Sequence, residues 1–204
     1  YISSDGTVTN TADLISCNTA GVTLEFSNIT VEGIGTDAKI AGRLIYAGKA
    51  DVILGSNTLI GNSFSQNIGV GVRCNNLTMN ANSMIRHCYV NSTTDGGAGA
   101  HISGILKMSD FAAICFNTNI NTYGTSIAGR YAVGGAYVKT LEMSGNSSIY
   151  GNFSQTKGSS DASAKGGAGV YIYGSDDSVI SDNASIRDNF SYYQLCSGVY
   201  FPSS

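Results

Sequence analysis

One spacing pattern recurs four times between Leu77 and Asn189. Each copy starts at a large apolar residue, has isoleucine six residues later, and has Asn or Cys three residues after the isoleucine. The four copies are Met79, Ile85 and Cys88; Met108, Ile114 and Asn117; Met143, Ile149 and Asn152; and Ile180, Ile186 and Asn189. A fixed apolar template that recurs every few tens of residues is typical of a solenoid, in which each unit buries its apolar face against its neighbours.

Apolar and polar residues alternate within each copy. In the third copy, Leu141 and Met143 flank polar Glu142, and Ile149 precedes Tyr150, with a Ser-Gly-Asn turn between the two runs. This period of two is typical of strands with one buried face. If the copies stack, Ile85, Ile114, Ile149 and Ile186 lie directly above one another in one interior file.

A Gly-rich strand is predicted before each copy, with small or branched apolar residues alternating with a polar or aromatic residue. These segments are 71–74, 99–102, 135–138, 169–172 and 198–201. Looser units are visible earlier, around Val52 to Asn62 and Leu24 to Val31. The spacing from Leu54 to Met79 is 25 residues, and the next spacings are 29, 35 and 37. The strands keep their pattern while the inserts lengthen, so we expect the inserts to leave the stack as loops.

These patterns predict an all-β parallel β-helix of about seven rungs, each with three short strands and with insertion loops that grow toward the C-terminus. The length suits one domain, 1–204, in which 1–21 form a partial first rung or cap and 22–201 form the regular rungs. The chain starts at Tyr1 and both ends are abrupt. We therefore expect a processed protein or a piece of a longer one, whose open ends stack on flanking coils or on other copies.

Four segments carry a family resemblance. They are Gly-Gly-Ala-Tyr-Val at 134–138, Gly-Gly-Ala-Gly-Val-Tyr-Ile at 166–172, Ile-Tyr-Gly-Asn at 149–152 and Ile-Arg-Asp-Asn at 186–189. They resemble right-handed parallel β-helix surface proteins, such as the GGA(I/L/V) and FxxN repeats of chlamydial polymorphic outer-membrane proteins and of bacterial or protist adhesin-like proteins. The resemblance covers residues 22–201 and implies a right-handed solenoid at a cell surface. Arg73 and His101 depart from it where the pattern has an aromatic residue, and Cys88 departs where it has Asn.

Composition limits the classes of partner. The net charge is −3, only 12% of residues are charged, and Lys and Arg are scattered singly. Such a chain has no basic stripe for nucleic acid or an anionic membrane, and no apolar run is long enough to insert into a bilayer. The Ser-, Thr- and Asn-rich surface and seven Asn-x-Ser/Thr sequons favour an extracellular or cell-surface location.

Five sequons are predicted to be accessible to glycosylation: Asn28, Asn76, Asn91, Asn146 and Asn183. Asn152 and Asn189 end their copies, where we expect inward side chains and the lowest accessibility. With Asn62 and Asn117 they form a predicted structural column, linked amide to amide. A second Asn column is predicted at the turn inside each copy: Asn57, Asn82, Asn146 and Asn183.

The five cysteines leave two interpretations open. They are Cys17, Cys74, Cys88, Cys115 and Cys196, an odd number with no CxxC or zinc-site spacing. They could be small buried apolar side chains inside the stack. Alternatively, one or two disulfides form in an oxidising compartment, with Cys88 and Cys115 on adjacent rungs as the first pair to examine.

One residue of each Gly-rich strand is predicted to point outward, which creates a column suited to ligand binding: Arg73, His101, Tyr137, Tyr171 and Tyr200. Tyrosine rings on a flat surface suit stacking on sugars or on a partner chain, so glycans or a host surface are candidate ligands. Cross-rung stacking that only stabilises the sheet is the competing interpretation. A further alternative is that an insertion loop covers the column.

An enzyme is the alternative function, because polysaccharide lyases and glycosidases share this fold class. Glycoside hydrolysis needs two carboxylates across a groove. Asp110 and Asp182 occupy one frame position two rungs apart, and the Asp176-Asp177 pair resembles that of pectin-degrading β-helix hydrolases, although the accompanying motifs of those enzymes are absent. His87 and His101 lie at different frame positions, so we expect no metal, and nothing indicates a cofactor. The sequence therefore predicts a non-catalytic, adhesin-like stalk or filament subunit.

Overall fold

A computed structural model describes residues 12–33, 42–65, 68–92, 96–122, 131–157, 166–192 and 196–201. Throughout these ranges the only regular secondary structure is β-strand, and every strand pairing is parallel. The described part of the chain accordingly contains no helix of the length and apolarity needed to cross a membrane.

The strands form three main sheets. The first sheet contains, in spatial order, β1 (Ile15–Ser16), β4 (Ile45–Ala47), β7 (Val72–Cys74), β11 (Ala100–Ile102), β16 (Ala136–Val138), β20 (Val170–Ile172) and β24 (Val199–Tyr200). The second contains β2 (Thr23–Phe26), β5 (Asp51–Leu54), β8 (Leu77–Met79), β12 (Ile105–Met108), β17 (Thr140–Met143) and β21 (Val179–Ile180). The third contains β3 (Thr30–Glu32), β6 (Leu59–Ser65), β9 (Met84–Ser92), β13 (Ala113–Cys115), β14 (Thr118–Thr122), β18 (Ser148–Tyr150), β19 (Phe153–Lys157), β22 (Ser185–Arg187) and β23 (Phe190–Tyr192).

The chain visits these sheets in a fixed order. It runs through the first, second and third sheets and returns to the first, and β24 begins the seventh visit to that sheet. Each strand pairs with the equivalent strand of the preceding repeat. The arrangement is all-β, with parallel strands in stacked sheets, and it is compatible with a solenoid.

The interior confirms the predicted files of apolar side chains. Ile85 pairs in register with Ile114, Ile114 with Ile149, and Ile149 with Ile186. The first three of these side chains are fully buried, and Ile186 packs partly buried against them. Burying such a side chain contributes about 1.5–3 kcal/mol relative to leaving it exposed, so the recurring isoleucines stabilise every repeat.

A second interior file runs through the second sheet. Met79, Met108 and Met143 pair in register and are buried, and Ile180 follows Met143 in the same file. These pairings reproduce the growing sequence spacings between repeats. The predicted insertion loops fall largely between the described ranges.

The repeat has more strand than the sequence predicts. The predicted repeat has three strands and a polar excursion after its terminal Asn. Instead, strand continues there, as the long β9 and as the separate strands β14, β19 and β23. A small fourth sheet pairs β10 (Gly96–Gly97) with β15 (Ala132–Val133), and a further parallel bridge links Gly167 to Cys196. Each repeat still contributes strand to the three main sheets, and the additional strand lies in the third sheet and in the small fourth sheet.

The early repeat around Leu54 also differs from the prediction. Ile60 pairs with Ile85, and Ser63 pairs with Cys88. Asn62 therefore lies outside the predicted Asn column. It adopts a left-handed φ of 52°, and its Nδ2 donates to Oε1 of Glu32 over 2.6 Å.

The cysteines are free thiols. Cys74, Cys88 and Cys115 are buried, which matches the interpretation as small apolar side chains, and the Cys88–Cys115 disulfide is not formed. Burial raises the pKa of the Cys88 thiol, so this group stays protonated and unreactive at neutral pH.

Candidate functional site

The predicted outward column exists on the first sheet. Arg73, His101, Tyr137, Tyr171 and Tyr200 pair in register on successive strands. The rings of His101 and Tyr137 stack with centroids 4.9 Å apart, those of Tyr137 and Tyr171 with centroids 5.0 Å apart, and Tyr200 follows at 5.2 Å from Tyr171. The distance between successive rings is close to the strand spacing of about 4.8 Å, so each ring covers the face of the next.

The column is more covered than its sequence pattern suggests. Tyr171 is only 2% exposed, because Tyr131 packs on it with ring centroids 4.5 Å apart. Tyr173 packs on Tyr137 at 4.9 Å, and its hydroxyl donates to the backbone oxygen of Ser103 over 2.8 Å. Burial is the main cause of a raised pKa at Tyr171, and its hydrogen bond with Tyr131 raises the pKa further. A sugar approaching this surface would therefore meet ring edges rather than free ring faces.

The column changes from aromatic to basic toward β1. Tyr46 pairs with Arg73 and continues the column. The guanidinium carbon of Arg43 lies 3.9 Å from the centroid of the Tyr46 ring, and that of Arg73 lies 5.8 Å from it. Arg43 also binds Asp13, donating from Nε to Oδ1 over 2.8 Å and from Nη2 to Oδ2 over 3.0 Å. Burial raises the pKa of Asp13, but the hydrogen bonds and charge of Arg43 outweigh it and lower the pKa overall.

His101 sits at the junction between the two halves of the column. Its Nδ1 is buried and has no hydrogen-bond partner among the described residues. Burial lowers the pKa of His101 to about 4, and the nearby charges of Arg73 and Arg43 act in the same direction. The imidazole is therefore neutral at pH 7 and adds no positive charge there.

Two of the acidic candidates stabilise turns. Oδ2 of Asp110 accepts the backbone N–H of Ala81 over 2.9 Å, and Oδ2 of Asp182 accepts that of Gly145 over 3.0 Å. Both aspartates have left-handed backbones, with φ of 56° and 57°. Gly145 lies on the rung between them, which separates the two carboxylates by about two strand spacings, or roughly 10 Å.

The other two acidic candidates lie in an exposed bend. Oδ2 of Asp176 pairs with Nζ of Lys139 over 2.8 Å, and the hydrogen bond and charge of Lys139 lower the pKa of Asp176. Asp177 is exposed beside it. The structure places this pair with Lys139, in the connection between β20 and β21, and brings neither carboxylate to Asp110 or Asp182.

A groove of about 400 Å³ runs along the second sheet. Its lining includes the ion pair of Lys107 and Glu142, 2.9 Å apart, with Ser109 and Ser144 nearby. None of the four candidate aspartates lines this groove. The carboxylate nearest to a carbohydrate in this groove would be Glu142, which is already paired.

Three of the four residues predicted for the inner Asn column form it: Asn117 and Asn152, which are buried, and Asn189, which is half-buried. Nδ2 of Asn117 donates to Oδ1 of Asn152, and Nδ2 of Asn152 donates to Oδ1 of Asn189, both over 3.0 Å. Cys88 occupies the next position, where its backbone N–H donates to Oδ1 of Asn117. The column links rungs inside the stack and is not a surface for ligands.

The turn column of Asn residues is also present, with one interruption. Nδ2 of Asn82 donates to Oδ1 of Asn57, Nδ2 of Asn57 to Oδ1 of Asn28, and Nδ2 of Asn183 to Oδ1 of Asn146. Phe111 separates the two groups and is 67% exposed.

The predicted glycosylation sites differ in accessibility. Asn28, Asn146 and Asn183 are exposed, whereas Asn91 is half-buried and Asn152 is 1% exposed. Asn76 is half-buried, and its amide joins two strands. Its Nδ2 donates to Oδ1 of Asp51, and its Oδ1 accepts the N–H of Ile105, both over 2.9 Å. We therefore expect Asn76 to be a poorer site of glycan attachment than its sequon suggests.

An exposed aromatic cluster on the third sheet is absent from the sequence-based candidates. Phe116 is 47% exposed at a left-handed φ of 55°, which is unusual for an aromatic residue. Its ring stacks on His87 with centroids 5.6 Å apart and meets Tyr150 edge-on at 5.2 Å. The guanidinium of Arg187 lies 4.7 Å from the Tyr150 centroid. The sequence pattern could have revealed this cluster, because His87 directly precedes Cys88 and Phe116 directly precedes Asn117, at equivalent positions of two repeats.

No three His, Cys, Asp or Glu side chains lie close enough to share a metal ion within the described ranges. Comparison with protein-family models, curated proteins and solved structures finds no match for this chain.

Proposed function

We propose that the chain forms a right-handed parallel β-helix and acts as a non-catalytic structural element of the adhesin-like kind, extracellular or at a cell surface. The family resemblance of the Gly-Gly-Ala and terminal Asn motifs supports the handedness and the location. The repeated visits of the chain to three parallel sheets support the coil. Glycans or a host surface are the proposed ligands of the column on the first sheet.

The main support for a non-catalytic role is that most of the candidate acidic side chains already bind other groups of the protein. Asp110 and Asp182 accept backbone N–H groups of neighbouring turns, and Asp176 pairs with Lys139. A glycosidase needs two carboxylates on opposite sides of one bound sugar, with a raised pKa on the acid. Here the carboxylates hold turns and an ion pair, which is the chemistry of a scaffold.

Packing against further coils is part of the same proposal. The strands β21 and β23 each have one unpaired edge among the described residues. Their apolar side chains are exposed, including Val179, Ile180, Phe190 and Tyr192. An exposed apolar surface beside open strand edges suits stacking of another coil, from a second copy or from a flanking segment of the same kind.

A turnover assay tests the non-catalytic assignment. Purified protein is incubated with pectate, alginate and neutral polysaccharides, and new reducing ends and unsaturated products are measured. We expect no turnover. Turnover by the wild type that disappears in Asp110→Asn, Asp182→Asn or Asp176→Asn would establish an enzyme instead, provided that the variant has the same free energy of unfolding as the wild type.

Sedimentation velocity over a concentration series tests the stacking of copies. We expect association that increases with concentration and that is weakened by Val179→Asp together with Phe190→Asp. Lys107→Gln, on the outer surface of the second sheet, is the control and should associate like the wild type. A wild type that stays monomeric throughout would remove association between copies from the proposal.

A further inference from the structure

A pocket lies at the basic end of the column on the first sheet. It has a volume of about 200 Å³ and is lined by the side chains of Tyr46, Arg73 and His101 from adjacent strands. Asn18, Lys49 and Ser103, from the segments that follow β1, β4 and β11, complete the wall. The pocket is smaller than a typical site for a whole small molecule, so it fits one substituent of a larger ligand.

The pocket collects positive charge that no ion pair neutralises, and the nearby carboxylate of Asp13 is bound to Arg43. Four of the Lys and Arg side chains that the structure describes form ion pairs with a carboxylate: Arg43, Lys107, Lys139 and Arg187. Lys49, Arg73 and Arg86 have no carboxylate partner among the described residues. Two of these three, Lys49 and Arg73, line the same pocket. In a chain of net charge −3, this is a local reversal of sign.

The remaining groups of the pocket suit an oxyanion. No Asp or Glu is part of the lining. The amide of Asn18 can donate hydrogen bonds, and the hydroxyl of Ser103 makes only long bonds of 3.5 and 3.4 Å to Cys74 and Asn75, which it can exchange for an anion. A guanidinium such as that of Arg73 can bind two oxygens of one carboxylate or sulfate. Lys49 is exposed at the rim, where a flexible ammonium can reach the same anion.

We propose that this pocket binds the oxyanion group of an acidic glycan, a carboxylate or a sulfate ester. The inference rests on the proposed function, because the rest of the glycan would lie along the ring edges of the column. Arg73 and Lys49 neutralise the charge, and Asn18 and Ser103 orient the oxygens. The small volume holds the charged group of one sugar, and the remainder of the chain stays outside.

Isothermal titration calorimetry at low salt tests the assignment with four probes. A hyaluronan tetrasaccharide carries carboxylates only, a keratan sulfate tetrasaccharide carries sulfates only, chitotetraose is neutral, and inorganic sulfate is an anion without a sugar. The variants are Arg73→Gln and Lys49→Gln. Lys107→Gln is the matched control, because it removes the same charge from another sheet.

We expect at least one acidic tetrasaccharide to bind more tightly than both chitotetraose and inorganic sulfate. Because a hydrogen bond to a charged group is strong, Arg73→Gln should lower that affinity about tenfold or more. Lys49→Gln should lower it by a smaller factor, about twofold to fivefold, because Lys49 is exposed. Lys107→Gln should leave it unchanged. The tetrasaccharide that binds identifies the group as carboxylate or sulfate. Arg73→Lys should recover part of the loss, since it restores the charge without the planar fork.

Three results would overturn the inference. The first is that no acidic tetrasaccharide binds, and the second is that the pocket variants bind it as tightly as the wild type does. The third is that inorganic sulfate binds as tightly as the sugars, which would mean an adventitious ion only. The same samples are analysed for shortened products. Cleavage of a bound tetrasaccharide would contradict the non-catalytic function while leaving the anion pocket intact, so the two proposals fail separately.

Discussion

Nδ2 of Asn117 donates a hydrogen bond to Oδ1 of Asn152 over 3.0 Å, in the interior of the stack. The same Oδ1 accepts the backbone N–H of Asn117, also at 3.0 Å. Nδ2 of Asn117 also donates to the backbone oxygen of Ile85 at 3.2 Å. Because a shift of register would break all of these bonds in a buried place, the Asn pair fixes how one repeat sits on the next.

Replacing Asn117 by leucine should destabilise the protein by about 2–4 kcal/mol, because buried backbone groups of Cys88 and Ile85 lose their partner. Chemical denaturation followed by circular dichroism measures the change. Asn146→Leu is the control, since Asn146 is exposed and its side-chain hydrogen bond with Asn183 is long, at 3.4 Å. It should change stability by less than about 0.5 kcal/mol. Equal losses in both variants would contradict a structural role for the column.

Cys88→Asn should extend the column by one rung. By analogy with Asn117 and Asn152, the new amide would donate to Oδ1 of Asn117 and to the backbone oxygen of Ile60. We expect the stability to stay within about 1 kcal/mol of the wild type and to exceed that of Cys88→Ser, which lacks the second donor. Thermal unfolding compares the three proteins. An Asn variant less stable than the Ser variant would show that this rung lacks room for the amide.

The sequence predicts the interior because each repeat keeps its own spacing. Ile85, Ile114 and Ile149 stand six residues after their anchors, and a change in insert length does not alter that count. The error at Asn62 has a local cause. Asn suits both the buried column and the left-handed position just before it, so residue type alone does not distinguish the two. Counting nine residues from Leu54 gives Ser63, which the structure places in the column.

The surface was harder to predict than the interior. Tyr171 follows the alternating pattern of an outward residue, but its burial depends on Tyr131, which comes from a different repeat. The strand β14 was missed because its sequence, Thr-Asn-Ile-Asn-Thr, has little apolar character, and its pairing with β9 and β19 creates it. The basic pocket combines Lys49 and Arg73 from separate strands and turns, which no spacing within one repeat indicates.

Stability should fall on mild acidification because of His101. Its pKa is lowered by burial to about 4, whereas in the unfolded chain it is near 6.5. Between these values the unfolded chain binds a proton that the folded chain does not, so the free energy of unfolding decreases as pH falls through this window. The loss is at most about 3 kcal/mol, at about 1.4 kcal/mol per pH unit.

His101→Tyr isolates this effect, because tyrosine already occupies the equivalent position at Tyr137 and should preserve the stack. Denaturation curves between pH 7 and pH 4.5 should show a steep loss for the wild type and a much smaller one for the variant. Asp13 and Asp176, whose pKa values are lowered, contribute their losses only below this range. Identical pH dependence in both proteins would contradict a neutral His101 with a lowered pKa.

Sugar attachment should follow the exposure of the sequons. In protein secreted from eukaryotic cells, glycopeptide mass spectrometry should find sugar at Asn146 and Asn183 and none at Asn152. The amide of Asn152 is buried and bonded to Asn189, so a sugar there is incompatible with the stack. We expect low occupancy at Asn76, whose amide binds Asp51. Folded, secreted protein with sugar on Asn152 would contradict the described interior.

The alignment of equivalent residues on successive rungs is the claim on which the column, the pocket and the scaffold function depend. Methyl NMR on protein labelled only at isoleucine δ1 groups tests it most directly. We predict nuclear Overhauser contacts in the order Ile60–Ile85, Ile85–Ile114, Ile114–Ile149 and Ile149–Ile186, because neighbouring strands lie about 4.8 Å apart. Contacts that skip a rung, or the absence of this series in folded protein, would contradict the stacking.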